Sequence, residues 1–392
     1  MKNITVVGAS LAGLSTVRAL RAEGYDGEIT VVGAEEHRPY DRPPLSKDFL
    51  SGAVEAESLE LADGDDYEVL GAQWLLGQRA LRLDPASRTL ELSGGRQVLT
   101  DGVVVATGAT PRVLPGAEGL AGIHTLRTLD DAVALRDDLR NGPGNVVILG
   151  AGFIGAEVAS TARKMGLDVT VVDPVDVPLE RALGREMGEL ADTLHGDHGV
   201  RRVQDRTVGF TGEGRVTGVC LAGGEVLPAD TVLVGVGVQP VTEWLAGSGV
   251  AVDDGVVCDA GCASSVPNVV AVGDVARRPD PFTGRHARVE HWTSAMEQAG
   301  CAVRTLLAGV SEPPPVRVPY FWSDQFGVRL QFAGYAAPGA RPRIVEGDVQ
   351  DRSFTAVYYR QESPVAVLSM NRPKPFNRLR RTLVAPSALT AA

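Results

Sequence analysis

The chain has 392 residues, 44% hydrophobic and 22% charged, with a net charge of −11. That length predicts two to three domains with packed cores, and no apolar run approaches the roughly 20 residues of a membrane-spanning helix. The acidic balance argues against bulk nucleic-acid binding. Four cysteines, all beyond residue 219, speak against a disulfide framework and, with no secretory leader expected at Met1-Lys2-Asn3, for the cytoplasm.

Ile4–Val7 is a short apolar run, predicted as a buried parallel strand. It runs through Gly8-Ala9-Ser10-Leu11-Ala12-Gly13 into Leu11–Glu23, apolar at Leu11, Leu14, Val17 and Leu20, the spacing of one helix face. Gly24 to Gly27 break the helix, and Ile29–Val32 is predicted as the second strand of a βαβ unit. The unit then recurs. Asn145–Leu149 is a strand, Gly150-Ala151-Gly152-Phe153-Ile154-Gly155 a full G-x-G-x-x-G, Ala156–Met165 a helix and Val169–Val172 a strand ending in Asp173. The 142 residues between Gly8 and Gly150 are far too many for a solenoid repeat, so two copies of one nucleotide-binding module are expected.

In such a turn the first glycine permits the bend, the second lets the backbone approach a pyrophosphate, and the third brings helix and strand together. The helix N-terminus supplies N–H groups and partial positive charge to the phosphates. Ser10 replaces the second glycine of the first copy and adds a hydroxyl able to donate to phosphate; this site is expected to hold the more permanently bound dinucleotide. Asp173, 23 residues beyond Gly150, suits a ribose 2′-hydroxyl, and no Arg or Lys follows within Pro174–Glu180, which favours NAD over NADP. In the first copy Ala34 takes the corresponding position, and Glu35 is the expected ribose acceptor, with Glu36 the alternative.

Two further strands end in small polar motifs: "VVVATGATPR" in Ala106-Thr107-Gly108, and "NVVAVGDVA" in Gly273-Asp274. Asp274 read alone is a helix N-cap, a position that favours Asp. With both modules, these motifs resemble the FAD- and NAD-dependent flavoprotein disulfide reductase superfamily. "RPPLSK" at Arg42–Lys47, "LRTLDDA", "RVEHWTSAMEQA", "YFWSDQFGVRLQFAGY" and "NRPKPFNRLRR" further resemble the oxygenase-linked ferredoxin reductases of the putidaredoxin-reductase type, relatives of apoptosis-inducing factor. The segment where disulfide-reducing members carry redox cysteines holds none here.

The resemblance implies an α/β protein of two Rossmann-like, glutathione-reductase-like domains plus a C-terminal α+β domain. The expected FAD domain is 1–112 and 240–315, the NAD domain 113–239, and the C-terminal domain 316–392, after the Pro-rich linker "SEPPPVRVP". "FTAVYYR" and "VAVLSMN" predict a small antiparallel sheet there.

The FAD contacts it implies are Gly8, Ser10, Leu11, Ala12, Gly13, Glu35, Arg42, Lys47, Ala80, Ala106, Thr107, Gly108, Arg127, Gly273, Asp274 and Trp292. Those to NAD are Gly150, Gly152, Phe153, Ile154, Gly155, Glu157, Asp173, Gly235, Val236 and Gly237. Lys47, paired with Glu157, is expected beside the flavin's reactive nitrogen, where it offsets developing negative charge; Trp322 is expected close to the flavin and nicotinamide. Outside the family setting, Lys47 reads as a surface lysine and Trp322 as core packing.

The activity implied is NADH:ferredoxin oxidoreduction, with FAD passing single electrons to an iron–sulfur ferredoxin that feeds a monooxygenase or dioxygenase. The alternatives are a rubredoxin reductase and a redox-gated NADH-binding protein like apoptosis-inducing factor. Arg372, Lys374, Arg378, Arg380 and Arg381, with no acid after Glu362, form either a docking face for an acidic ferredoxin or a solvated arm. No metal site is expected: the six histidines lack ligand spacing, and Cys258 and Cys262 lack a second pair.

Overall fold

The computed structural model describes residues 1–142, 144–336 and 340–383; residues 384–392 of the expected C-terminal domain lie outside the described residues. The described chain forms two compact units.

The first unit comprises Met1–Asp41, Leu59–Thr110 and Gln239–Arg317. Its centre is a parallel sheet of five strands, in the order Val269–Ala271, Gly102–Val105, Asn3–Val7, Glu28–Val32, Gln73–Leu75. Strands of a parallel sheet are covered on both faces and therefore read as unbroken apolar runs. The alternation of side chains sorts each run between two cores. Ile4, Val6, Ile29, Val31 and Val104 pack with the helices Leu11–Ala22 and Trp292–Ala308. Val7, Val32, Val103 and Val105 pack with Leu83, Leu90 and Leu92 of an antiparallel sheet formed by Ala80–Asp84, Thr89–Leu92 and Gln97–Leu99.

The second unit comprises Arg42–Ser58, Pro111–Val238 and Val318–Ala392. The same plan recurs in a parallel sheet ordered Arg201–Val203, Asp168–Val172, Asn145–Leu149, Thr231–Val234, Ile123–His124. Val146, Ile148, Val169 and Val171 face one core, into which Leu50 of the segment carrying Lys47 also packs. Val147, Leu149 and Val172 face another, closed by the antiparallel strands Thr207–Glu213, Arg215–Leu221 and Val226–Pro228. The second module's helix runs Phe153–Lys164, three residues earlier than its apolar pattern suggests, because Gly152 is itself the N-cap.

The C-terminal part of this unit is an antiparallel sheet of five strands, ordered Tyr320–Gln325, Val328–Gly334, Ser363–Met370, Ser353–Arg360, Arg341–Asp348. The first two strands are joined by Phe326-Gly327, whose φ values of +51° and +75° suit the tight turn of a two-residue hairpin. The strained Phe326 is anchored: its backbone N–H donates to Ser160 Oγ at 2.6 Å, and its ring stacks on His198 at 4.7 Å. One sheet face buries Leu330, Phe354 and Leu368 against Leu183, Met187, Ala191 and Leu194; the other holds Phe376 of the helix Pro373–Leu379. Among the described residues no helix is long and apolar enough to cross a membrane.

Candidate functional site

In the first unit the register Val32–Val7–Val105–Ala271 brings the carboxyl ends of four parallel strands level. The residues that follow, Gly8–Gly13, Glu35, Ala106–Gly108 and Gly273–Asp274, therefore emerge along one edge, where α/β sheets bind ligands. Gly8 has φ +124°, and a Cβ there would stand 2.1 Å from the Ala106 carbonyl oxygen. A Cβ on Gly13 would stand 1.9 Å from the Gly8 carbonyl oxygen, so the helix can start this close to the turn only with glycine. Ser10 is the N-cap of that helix, and the first turn beyond it, beginning Leu11-Ala12-Gly13, carries no acid to repel a phosphate. These are the features a dinucleotide pyrophosphate requires, and FAD fits them.

The other expected FAD residues take defined positions within their own units. The Tyr40 hydroxyl donates to Glu35 Oε2, and Thr107 Oγ1 donates to the Val241 carbonyl at 2.7 Å. Gly108 has φ +65°. Asp274 lies inside the short 3-10 turn Gly273–Val275 rather than capping a helix. Gly273 N–H donates to Gln298 Oε1 at 2.7 Å, a buried support that nothing in the sequence announces. Trp292 opens the helix Trp292–Ala308, its indole N–H donating to Asp41 Oδ1 at 2.8 Å. Ala80 is half-buried on an outer antiparallel strand. In the second unit, the Arg42 guanidinium donates to the Arg127 carbonyl, which joins two of the expected residues.

The NAD-type module of the second unit repeats the geometry. Gly150 has φ +106°, and a Cβ would stand 2.3 Å from the Gly235 carbonyl oxygen; one on Gly155 would stand 2.1 Å from that of Gly150. Gly235 and Ala106 thus occupy equivalent places, each the first residue beyond the strand, Thr231–Val234 or Gly102–Val105, that runs beside its module's first strand. A Cβ on Gly152 would meet nothing within 4 Å, so the backbone is open where a pyrophosphate would approach. Phe153 and Ile154 begin the helix, and Ile154 is 46% exposed. Val236 is exposed, and Gly237, at φ +102°, accepts the Arg112 N–H at 2.9 Å.

Asp173 is held by two backbone donors, Ala151 N–H to Oδ2 and Val175 N–H to Oδ1, both at 2.8 Å. A basic residue does approach this loop, one that sequence proximity misses: Arg202, on the next strand. Its guanidinium is already committed to the carbonyls of Asp173, Val175 and Val203 and to Asp192.

Lys47 and Glu157, 110 positions apart in sequence, form an ion pair within the second unit, Nζ to Oε2 at 2.7 Å. Lys47 follows the 3-10 turn Pro43–Ser46, in which the prolines fix φ at the first positions, and Nζ also donates to the Pro43 carbonyl at 2.8 Å. Glu157 projects from the helix Phe153–Lys164 and is 3% exposed. Serine hydroxyls bound it on both sides, Ser46 Oγ to Oε2 and Ser323 Oγ to Oε1, each at 2.6 Å. Sequence inspection misses both serines, since a lone serine in a turn or strand carries no signal. Ser323 adjoins Trp322, whose ring stacks on Tyr320 at 5.9 Å. Among the described residues no cluster of three or more His, Cys, Asp or Glu is able to hold a metal ion.

The family model described as pyridine nucleotide-disulphide oxidoreductase matches residues 2–299, and the model described as reductase C-terminal matches residues 320–392. Rhodocoxin reductase of Rhodococcus erythropolis is 37% identical over 99% of this chain and 91% of its own. The biphenyl dioxygenase system ferredoxin–NAD(+) reductase component of Paraburkholderia xenovorans is 39% identical over 88% of this chain and 84% of its own. The crystal structure of the covalent putidaredoxin reductase–putidaredoxin complex matches with a TM-score of 0.91 at 34% identity, covering 99% of this chain and 95% of that one. Two glycine cradles, each fitted to a dinucleotide, and whole-chain similarity lead to one conclusion: the chain belongs to the pyridine nucleotide-disulphide oxidoreductases, carries their reductase C-terminal domain, and is an FAD- and NAD-dependent oxidoreductase.

Proposed function

We propose that this oxidoreductase passes electrons from NADH to an iron–sulfur ferredoxin of an oxygenase system; one relative is named as the ferredoxin–NAD(+) reductase component of a dioxygenase system. The observation that carries this reading is the Lys47–Glu157 pair at a turn without a cysteine, in a chain whose first cysteine is Cys220. A disulfide-reducing member needs a thiol relay; here the turn offers a cation instead. Bound FAD supplies acceptance of two electrons as hydride and their release one at a time. The overall change is one NADH and two oxidised ferredoxins to one NAD+, two reduced ferredoxins and one proton.

The residues supply binding, orientation and electrostatics. Gly8–Gly13 and Gly150–Gly155 hold the pyrophosphates, Glu35 and Asp173 the riboses, and the remaining residues assigned above to each cofactor complete its site. Lys47 would place its Nζ, held by Glu157 and the Pro43 carbonyl, where it can offset negative charge on bound FAD, the kind of preorganised stabilisation that contributes most to such chemistry. Glu157 fixes Lys47 through the 2.7 Å ion pair and would face a bound nicotinamide. Ser46, Ser323 and Glu157 are all nearly fully buried, so little water competes for these hydrogen bonds. Trp322 adjoins Ser323 in sequence, stacks on Tyr320, and would stand close to the bound flavin and nicotinamide.

We divide the chain functionally into an FAD domain (1–112 and 240–315), an NAD domain (113–239) and a C-terminal domain (316–392). Arg372, Lys374, Arg378, Arg380 and Arg381 supply a basic face to an acidic ferredoxin. Two of them are partly neutralised, because Arg372 and Arg378 pair with Glu346 at 3.4 and 3.0 Å. Lys374, Arg380 and Arg381 are exposed and carry the larger share of the attraction. Free thiols at Cys220, Cys258, Cys262 and Cys301 support a reducing, cytoplasmic setting.

The test is anaerobic rapid mixing. Purified protein should be yellow, bleach with NADH, and recolour when an oxidised ferredoxin is added. Bleached protein that stays bleached with every ferredoxin offered would remove the ferredoxin reading and favour a redox-gated binder.

A further inference from the structure

We infer that Ser323 is a positioning residue that sets the effective charge of the Lys47–Glu157 pair; this rests on the proposed role of Lys47 beside the flavin. A buried ion pair poses an electrostatic problem for such a role. A carboxylate 2.7 Å from a lysine cancels much of its field, so the cation would offer little to an incoming negative charge. Glu157 is not left to Lys47 alone. Its Oε1 accepts the Ser323 hydroxyl at 2.6 Å and the more distant Asp324 N–H at 3.4 Å, and its Oε2 accepts the Ser46 hydroxyl at 2.6 Å. Hydrogen bonds to an ionised acceptor are shorter and about twice as strong as neutral ones, and each draws negative charge away from the lysine.

The direction of the Ser323 bond is fixed by a second residue. Gln325 Nε2 donates to Ser323 Oγ at 3.1 Å, which occupies the hydroxyl oxygen as acceptor and leaves its proton for Glu157. Ser323 and Gln325 are 0% and 2% exposed, so water does not substitute for either. Both stand on the strand Tyr320–Gln325, whose hairpin turn is anchored through Phe326 N–H to Ser160 Oγ on the helix that carries Glu157. Strand, hydroxyl and carboxylate are therefore held in one frame. Ser46 balances Oε2 but also accepts from Lys47 at 3.3 Å, so Ser323 is the donor that belongs to Glu157 without serving the lysine.

The experiment uses the FAD-loaded enzyme and reads the midpoint potential of bound FAD at equilibrium with reference dyes, together with the rate of bleaching by NADH. Ser323→Ala removes the hydroxyl without adding atoms; Gln325→Met removes the donor that aims it; Lys47→Met removes the cation. In Ser323→Ala the potential should fall, in the same direction as in Lys47→Met. The bleaching rate should drop about tenfold, with the KM for NADH held within about twofold. Gln325→Met should move both quantities the same way by less. Wild-type potential in Ser323→Ala and Gln325→Met, with a lowered one in Lys47→Met, would overturn the inference and leave the role of Lys47 standing. An unchanged potential in Lys47→Met would overturn both.

Discussion

Gly8 and Ala106 approach so closely that a methyl group on the glycine would lie 2.1 Å from the alanine carbonyl oxygen. The same relation joins Gly150 to Gly235 at 2.3 Å, and in both places the obstacle is backbone, which cannot rotate aside. Gly152 differs, with open space where its Cβ would be.

Gly8→Ala and Gly150→Ala should each destabilise the fold by about 3 kcal/mol, combining overpacking with a left-handed φ. Gly152→Ala should leave the melting temperature within about 2–4 °C of wild type yet raise the KM for NADH at least tenfold, because the added methyl takes the pyrophosphate's place. Thermal melts and NADH titrations of the three variants separate packing glycines from the ligand-facing one. A Gly152→Ala enzyme with normal KM would contradict the assignment.

Asp173 concerns which nicotinamide cofactor is used. Both its oxygens accept backbone N–H groups at 2.8 Å, so the carboxylate is not free to swing away from a 2′-phosphate. Arg202 is spoken for by three carbonyls and Asp192, with a side chain only 17% exposed, and does not offer that phosphate a partner. Asp173→Asn keeps an acceptor oxygen and removes the charge. The ratio of kcat/KM for NADH to that for NADPH should fall by about 10- to 100-fold, most of it from improved NADPH use. A ratio that does not move would mean that something other than this carboxylate discriminates.

Much of this was legible in the sequence, and the part that was not has a common physical cause. The glycines, the valine-rich strands and the acids at strand ends announce themselves because backbone geometry and burial restrict those positions to few residue types. Ser46, Ser323, Gln298 and Arg202 do not. Each acts through one hydrogen-bonding group brought in from a distant stretch of chain, 111 and 166 positions from Glu157 for the two serines. No local pattern marks a serine that will meet a glutamate across the fold. The basic tail was half legible: its charges are plain, but the pairing of Arg372 and Arg378 with Glu346 depends on neighbouring strands and a terminal helix coming together. Asp274 shows the reverse case, since an aspartate that reads as a helix cap sits instead within a 3-10 turn at a strand end.

Acid should loosen the Asp173 loop through Asp192. Burial pushes the Asp192 carboxyl upward, but the His195 hydrogen bond and the Arg202 charge outweigh it and hold the group below its ordinary value. A depressed carboxyl contributes stability that is fully present above its unfolded value of about 3.9 and is lost as pH falls through the folded one. Asp192→Asn should therefore melt below wild type by a constant margin from neutral pH down to about pH 5, and the two curves should converge at more acid pH. A margin that persists unchanged below about pH 3 would show that the charge contributes nothing.

The basic face makes the strongest demand on salt dependence. Arg380 lies over the Tyr320 ring at 5.0 Å, and Lys374 and Arg381 are exposed, whereas Arg378 already faces Glu346. Reversing Lys374, Arg380 and Arg381 to glutamate should slow ferredoxin reduction at least tenfold at low ionic strength, chiefly by weakening electrostatic steering. The deficit should shrink as added salt shortens the screening length from about 30 Å at 0.01 M to about 10 Å at 0.1 M. Ferricyanide, a small anion that needs no docking face of this size, should be reduced within about twofold of the wild-type rate. Equal slowing with both acceptors would place the damage in the hydride step instead, and an unaltered ferredoxin rate at low salt would leave these cations as a solvated arm.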